Sequence, residues 1–181
     1  MTLIIVGLVI WWGAHLFKRM APEKRDLLGE KGRGAVSIAL VASIVLMVIG
    51  YRTADTIDVW YPPAFMTHLN NALMVLAFYF FAASGMKTAI TRKIRHPQLT
   101  GFKTWAVAHL LVNGDVASIL LFGGLLAWAV VSVIVINKAQ PEWTRPLPVA
   151  ASKELMAVAG AVLVTGLVMI VHNWLGVQPW G

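Results

Sequence analysis

The chain has 181 residues, of which 59% are hydrophobic and 13% are charged, and the apolar residues fall in long runs. About 20 helical residues cross a bilayer, so this length suffices for five or six membrane spans in a single integral membrane domain and leaves no room for a second domain. The absence of cysteine excludes disulfides, thiolate metal sites and the covalent attachment of c-type haem.

Two clusters of basic side chains lie beside the predicted spans in this chain of net charge +7. They follow the first apolar run, Thr2 to Arg19, and the third, about Phe65 to Met86. Basic loops stay in the cytoplasm, so we expect membrane lipid rather than nucleic acid as the partner of these charges. The N-terminus is then outside, and the first run is retained as a span. The clusters are Lys18, Arg19, Lys24, Arg25, Lys31 and Arg33, and Lys87, Arg92, Lys93, Arg95 and Lys103.

The second apolar run extends from about Gly34 to Tyr51, and an aromatic, proline-rich loop from Arg52 to Pro63 follows it. Trp60 and Tyr61 in this loop belong to the residue types that concentrate at the headgroup level of a membrane. The loop is therefore expected on the outer face, opposite to the basic clusters.

The apolar stretch from Thr104 to Asn137 is interrupted near its start by Asn113-Gly114-Asp115. As one helix its 34 residues would be about 51 Å long, which is too long for a single span. We therefore predict a short helix over 98–112 and a return helix over 116–136. Broken backbone at membrane depth needs protein or water to satisfy it, so a buried site is expected beside the break.

The last predicted span runs from about Ala151 to Trp174, after a loop that contains three prolines. The segments together predict an all-α protein, a polytopic transmembrane helical bundle of five to six spans. Five spans is the count if the stretch that begins at Thr104 forms one long tilted helix. The charges of the preceding loop are too balanced to fix the side on which the C-terminus lies.

His15 and His109 are the histidines whose depth points to a cofactor. His15 lies about three residues from the cytoplasmic end of the first span, and His109 about a dozen residues into a helix that starts on the same side. The two side chains are thus able to approach one another. Two imidazoles on facing helices are a common way to hold haem iron, and without cysteine such a haem would be the non-covalent b type.

A shared local pattern supports this pairing. Trp11 precedes His15 and Trp105 precedes His109 by four residues, and an alanine stands directly before each histidine. Residues four apart share a helix face, so each imidazole would have an aromatic wall and a small neighbour, as a porphyrin requires. The alternative is that each histidine only hydrogen-bonds a neighbouring helix.

Three polar residues of the segment that contains His109 are candidate supports of a cofactor: Arg95, His96 and Asn113. Asn113 shares the face of His109 and is the candidate to hydrogen-bond a ligand residue, whereas Asp115 is expected to cap the return helix. Arg95 and His96 lie at the start of the short helix, where their charge and the free N–H groups suit a haem propionate. A cytoplasmic belt of positive charge is the alternative for this pair.

The remaining histidines receive weaker assignments. His68, with Asn71 one turn later, either forms a polar wall or proton path on the outer side or is an interfacial histidine bonded to water. His172, beside Trp174 at the end of the last span, is interpreted as an interfacial residue and is given no functional role.

The run RHPQLTG followed by WAVAHLLVNGDVASILLFGG resembles the NnrU family of bacterial membrane proteins. The segments GAHL, RGAVSIAL, WYPPAF and LNNALM resemble the family as well, so the resemblance covers nearly the whole length. That family is similar to the 15-cis-zeta-carotene isomerases, haem b membrane enzymes with two histidine ligands. The resemblance implies His109 and His15 as haem ligands and a bacterial cytoplasmic (inner) membrane as the location.

The resemblance also indicates a range of functions. It implies a haem-dependent isomerase of carotenoids or an oxidoreductase linked to nitrogen-oxide metabolism, with a hydrophobic small molecule or a nitrogen oxide as the partner. The isomerases continue with a G-N-S-like segment where this chain has Asn113-Gly114-Asp115, a departure that weighs against carotenoid isomerisation.

Two other classes of function remain open at the level of sequence. RHPxxxG also resembles a motif of small membrane methyltransferases, but those enzymes need an acidic, arginine-containing element near the C-terminus, and no carboxylate or arginine follows Glu154 here. A non-enzymatic transporter or assembly subunit with a polar path is the other class. Transporters of this kind often contain inverted repeats, and the shared AHL segment is too short to be one.

Overall fold

A computed structural model describes residues 1–180, which are helical apart from turns, loops and one isolated antiparallel bridge. The predicted all-α fold is confirmed. The helices are α1 (Thr2–Met20), α2 (Pro22–Leu27), α3 (Gly29–Arg52), α4 (Met66–Met86), α5 (Pro97–Val112), α6 (Val116–Ser118), α7 (Gly124–Ala139) and α8 (Ala151–Trp174), with a 3₁₀ turn at Ala89–Arg92 and a π-helical turn at Ile119–Gly123.

The chain breaks at Asn113, as predicted, and one long tilted helix is thereby excluded. Helix α5 ends at Val112, and helical structure resumes at Val116 and continues through the π-helical turn to Ala139. In the described chain, five helical segments are long and apolar enough to cross a membrane, including Val116–Ala139, while the 16 residues of α5 form a sixth, shorter segment. The predicted range of five to six spans is confirmed.

The helices form two compact units. Unit one contains Met1–Trp60 and Gly114–Gln140, and unit two contains Tyr61–Asn113 and the described residues from Pro141 onward. Unit one thus holds α1, α2, α3, α6 and α7, whereas unit two holds α4, α5 and α8.

Unit one is built on the antiparallel pair α1 and α3, which approach closely at glycines. A Cβ atom on Gly50 would lie 2.8 Å from the backbone nitrogen of Ile4, and one on Gly7 would lie 2.8 Å from the carbonyl oxygen of Ser43. Small residues at such crossings allow the van der Waals contact that drives helix association in membranes. Helix α7 joins α1 where the indole of Trp12 donates a hydrogen bond to the carbonyl of Gly124 at 3.1 Å.

Unit two packs α4 between contacts to α5 and α8. Gly101 of α5 meets α4 so closely that a Cβ there would lie 2.7 Å from the carbonyl oxygen of Ala77. Glu154 in the first turn of α8 accepts hydrogen bonds from Tyr79 and from the backbone of Ala89, just after α4 ends. Helix α8 therefore runs antiparallel to α4, and its C-terminal end lies with the start of α4 and the end of α5.

Candidate functional site

His109 is positioned in unit two by the last turns of α5. Its Nδ1 lies 2.9 Å from the carbonyl oxygen of Trp105, and the centroids of the two rings are 5.0 Å apart. Because a carbonyl only accepts hydrogen bonds, Nδ1 carries the proton and Nε2 holds the lone pair in the neutral ring. This is the tautomer in which a histidine coordinates iron through Nε2, with its orientation fixed through Nδ1.

His15 has the same arrangement in unit one. Its Nδ1 lies 3.0 Å from the carbonyl oxygen of Trp11, and its ring centroid is 4.1 Å from that of the Trp11 indole. A second indole, Trp128 of α7, meets the imidazole edge-on with a ring separation of 4.6 Å and also contacts the Trp11 ring at 5.2 Å. The sequence pattern identified Trp11, but the contact with Trp128 comes from a segment more than 100 residues away and had no local signal.

A hydrogen bond from the imidazole to a backbone carbonyl does not by itself identify an iron ligand. His172 near the end of α8 makes the same bond, with Nδ1 2.8 Å from the carbonyl oxygen of Val168. What distinguishes His15 and His109 is the tryptophan four residues earlier, whose ring contacts the imidazole in both cases. The structure places His15 in unit one and His109 in unit two.

A cavity in unit two brings His109 together with residues that the sequence left apart. It has a volume of about 50 Å³ and is lined by residues of α4, α5, α8 and the segment after α8. This volume is well below the ~300–1,000 Å³ typical of small-molecule sites. Its polar lining residues are Asn70, Asn71, His109, Thr165 and His172.

His172 is the functional candidate that sequence reasoning missed. Its interpretation as an interfacial residue placed it away from any site, whereas the structure lines the cavity with it. A signal existed: Thr165, Val168, Met169 and His172 recur at the spacing of one helix face, and all four line the cavity. His68, in contrast, is exposed and is not among the lining residues, so of the predicted polar pair only Asn71 reaches the cavity.

Asn113 supports the end of α5. Its side-chain amide donates to the carbonyl oxygen of His109 at 2.8 Å, and its backbone N–H donates to the same oxygen at 3.1 Å. The predicted contact between Asn113 and His109 thus exists at the main chain. Asn113 terminates the helix on which His109 sits and acts on the imidazole only through the backbone.

Asp115 caps the return helix, as predicted. Its Oδ1 accepts a hydrogen bond from the backbone N–H of Ser118 at 2.9 Å, and its Oδ2 accepts one from the Ser118 hydroxyl at 2.5 Å. The same hydroxyl lies 2.8 Å from the phenol oxygen of Tyr51 on α3. The fully buried Ser118 therefore links the cap to α3 within unit one. A π-helical turn follows at Ile119–Gly123.

Gly114 lies under the loop that follows α3. Its carbonyl oxygen accepts hydrogen bonds from the backbone N–H groups of Val59 and Trp60 at 2.7 and 3.1 Å. Asp58 and Asp115 form the isolated bridge beside it. A Cβ on Gly114 would lie 2.8 Å from the Trp60 carbonyl carbon and nearer still to its oxygen, so only glycine fits here.

Arg95 forms hydrogen bonds with the loop between α7 and α8. Its guanidinium donates to the carbonyl oxygens of Pro141 and Glu142 at 3.3 and 3.2 Å. His96 is the residue before Pro97 at the start of α5. Thirteen residues of helix, about 20 Å, separate it from His109. The propionate role of Arg95 and His96 stays a prediction.

The candidate ligands in the described chain are single imidazoles rather than a cluster of metal-ligating side chains. Among residues 1–180, no group of three or more His, Asp or Glu side chains is arranged to hold a metal. A haem requires only axial ligands, because the porphyrin supplies the other four donors. Single imidazoles with Nδ1 anchored, such as His15 and His109, match that requirement.

Comparison with models of known protein families identifies the family to which this chain belongs. The family described as NnrU protein matches residues 3–179, nearly the entire chain. The chain belongs to the NnrU family. The NnrU resemblance of the RHPQLTG block and of the other quoted segments is thereby confirmed, and the similarity to the carotene isomerases stays an expectation. No match was found among curated proteins or among solved structures. Membership of the NnrU family fixes no reaction, so the chemistry is argued from the site.

Proposed function

We propose that this NnrU-family protein binds haem b in the bacterial cytoplasmic membrane and serves a redox reaction linked to nitrogen-oxide metabolism. One observation carries the proposal: His15 and His109 share a tryptophan-histidine geometry that fixes the Nδ1–H tautomer and packs an indole against the imidazole. An intramembrane ionisable residue is expensive to bury, roughly 2.5 to 3.5 kcal/mol for a charged one, which favours a functional role.

His109 is the residue of unit two that would hold the haem iron. Its Nδ1–H donates to the Trp105 carbonyl, which orients the ring and raises the basicity of Nε2 toward a metal. The Trp105 ring supplies an aromatic surface beside the ligand. Asn113 ends the helix immediately after His109, so the imidazole sits on a rigid element rather than on the following turn.

His15 is the residue of unit one that would hold the haem iron. Its ring forms a mutually contacting cluster with the indoles of Trp11 and Trp128. When bound, a haem supplies one-electron redox chemistry and an iron centre able to take up an external ligand. Within its own unit, each histidine would hold such a centre through Nε2, with the neighbouring tryptophan ring packed against the imidazole.

The charge distribution of unit two supports a cytoplasmic location for the C-terminal end of α4, the orientation expected of a chain whose N-terminus lies outside. In unit two, Lys87 and Arg92 follow the C-terminal end of α4, and Lys153 lies in the first turn of α8, at the same end of the unit. This clustering is what the positive-inside rule assigns to the cytoplasm. The opposite end of unit two, with Asn70 and His172, would then face outward.

Carotenoid cis-trans isomerisation is the second candidate reaction, and the apolar walls of the unit-two cavity favour it. Met74, Phe78, Val168 and Met169 line this cavity next to His109. A polyene is apolar, and apolar side chains of this kind are the surface that it would contact. Isomer analysis of carotenoids extracted from cells with and without the protein tests this reaction separately from haem binding.

A reduced-minus-oxidised absorption spectrum of detergent-purified protein from haem-replete cells tests the haem proposal. We expect a sharp Soret band, with haem-to-protein ratios that fall strongly in His109→Ala and His15→Ala. His68→Ala is the matched control, because His68 is an exposed histidine outside the cavity and should leave the spectrum unchanged. Colourless wild-type protein, or variants with full haem content, would overturn the proposal.

A further inference from the structure

A charged cavity lies in unit one, where the end of α1, the short helix α2 and the start of α3 meet. It has a volume of about 190 Å³. Both α1 and α3 are long and apolar enough to cross a membrane, so the helix ends that meet here lie at the membrane surface. The residues that line the cavity are Lys18, Arg25, Asp26, Gly29, Glu30 and Arg33.

The connection between α2 and α3 fixes the position of Arg25 in this cavity. Gly29 has a backbone φ angle of 50°, which glycine adopts readily and which turns the chain into α3. The guanidinium of Arg25 donates a hydrogen bond to the carbonyl oxygen of Gly29 at 3.2 Å. The same group lies over Gly32, where an added Cβ would be 3.0 Å from Nη1 of Arg25. Arg25 is therefore held against the first turns of α3, and its guanidinium has further N–H donors for a ligand.

The charges that line the cavity are only partly paired. Arg33 and Glu30 form an ion pair with a separation of 2.8 Å between Nη1 and Oε1. Within residues 1–180, by contrast, neither Lys18 nor Asp26 forms an ion pair, so their charged atoms lie more than 4.0 Å apart although both residues line the cavity. The cavity therefore presents a cation and an anion that are separated rather than neutralised by contact.

We propose that this cavity binds the headgroup of a phospholipid that carries both a phosphate and a primary ammonium group. Lys18 and Arg25 suit the phosphate, because charge-assisted hydrogen bonds from such donors to phosphate oxygens are strong. Asp26 suits the ammonium, which donates N–H groups to a carboxylate. An anionic headgroup without an ammonium would leave Asp26 without a counter-charge, and a trimethylated ammonium has no N–H to donate.

The size of the cavity fits such a headgroup. At roughly 10–15 Å³ for each water-sized group, the cavity has room for on the order of ten such groups, and a phosphate with a short ammonium arm has about eight non-hydrogen atoms. The smaller cavity of unit two, with about 50 Å³, would not accommodate it.

Exposed apolar side chains next to the charged residues favour a lipid over a soluble phosphate ester. Met20, Leu27 and Leu28 are 76%, 87% and 49% exposed, and they adjoin the lining residues in the chain. Apolar side chains at the boundary of the headgroup layer bury their surface among acyl chains. The site goes beyond the proposed function, because it contains neither of the histidines proposed to hold haem and does not depend on a bound haem.

Titration of the detergent-purified full chain with lipids, followed by native mass spectrometry, tests the proposal. The probes are dioleoyl phosphatidylethanolamine, phosphatidylglycerol and phosphatidylcholine, which share acyl chains and phosphate and differ in the group attached to the phosphate. We expect the ethanolamine lipid to bind about 3- to 5-fold more tightly than either of the others, the effect of one additional exposed ion pair. Equal affinities, a preference for another of the three lipids, or no binding at all would overturn the proposal.

Two matched pairs of variants locate the site. Asp26→Asn should abolish the preference for the ethanolamine lipid, whereas Glu23→Gln removes a carboxylate of the same helix outside the cavity and should preserve it. Lys18→Gln should weaken all three lipids about 3- to 5-fold, because they share the phosphate, whereas Lys24→Gln should not. All four side chains are exposed, so the variants are expected to fold. Control variants that lose as much binding as the cavity variants would contradict the assignment.

Glycerophosphoethanolamine, which has the same headgroup without acyl chains, distinguishes a lipid from a soluble ligand. Because only the lipid buries acyl CH₂ groups, displacement of the lipid should require an at least about 100-fold higher concentration of the soluble compound. Displacement at equal concentration would overturn the assignment to a lipid.

Discussion

Replacement of Gly114 by alanine probes whether the break after α5 depends on close backbone packing. The added Cβ would lie 2.8 Å from the carbonyl carbon of Trp60 and 3.2 Å from the indole carbon Cδ1 of the same residue. Since contacts under 3.0 Å involve backbone atoms that cannot rotate away, the loop before Tyr61 has to move. Movement breaks the hydrogen bonds that Val59 and Trp60 donate to Gly114.

The expected cost follows from these contacts. Two lost backbone hydrogen bonds contribute about 1 kcal/mol each, and overpacking contributes about 1–3 kcal/mol, of which part is relieved when the loop shifts. Gly114→Ala should therefore lower the free energy of unfolding by about 2–4 kcal/mol. The clash is steric, because Gly114 does not have the positive backbone φ angle found at Gly29 and Gly176.

Equilibrium unfolding in mixed micelles, followed by tryptophan fluorescence, measures this cost. Gly34→Ala is the matched control in the same unit: it lies within α3, nothing approaches its Cβ position within 4 Å, and alanine should be neutral or stabilising by up to about 1 kcal/mol. The reasoning is refuted if Gly114→Ala is as stable as Gly34→Ala.

Three further substitutions test the packing inside each unit by the same unfolding measurement. Ser118→Ala should lower the free energy of unfolding by about 1–3 kcal/mol, because it removes the hydroxyl that Asp115 and Tyr51 share. The double variant with Tyr51→Phe should lose less than the sum of the two single losses. Strict additivity would contradict the linked network. Gly50→Ala should cost about 1–3 kcal/mol, because its Cβ would meet the backbone of Ile4, and a neutral result would show that α1 and α3 do not approach as described. Gly101→Ala should have a similar cost through the Ala77 carbonyl of α4, whereas Gly160→Ala in α8, with open space around it, should not destabilise; equal stability of these two variants would argue against the α4–α5 contact.

Local rules were sufficient for much of the architecture. A run of about 20 apolar residues has no stable state in lipid other than a helix, so the spans were predictable to within a few residues, and the last one began at Ala151 and ended at Trp174 as expected. The turn at Asn113 to Asp115 was predictable because its polar side chains and glycine interrupt an overlong stretch. Asp115 was recognisable as a cap since a carboxylate just before a helix accepts its free N–H groups.

Other local structure escaped prediction because its signal was weak. Helix α2 has six residues and lies in a charged segment, and the 3₁₀ turn at Ala89–Arg92 has four residues. Neither is long enough for a hydrophobic period to emerge. The π-helical turn at Ile119–Gly123 likewise has no distinct sequence signature, because its residues are ordinary helix formers in an apolar stretch.

The sequence by itself determined the membrane class, the helical segments, the break after α5 and the tryptophan-histidine faces of His15 and His109, because each depends on neighbours within one turn or one span. The tertiary structure alone decided that Trp128 packs on His15, that Gly114 lies under Trp60, and that His172 and Asn70 share a cavity with His109. These pairings depend on how each helix is rotated and offset against its neighbours. That rotation is set by the packing of many side chains at once, and no local pattern in the chain contains it.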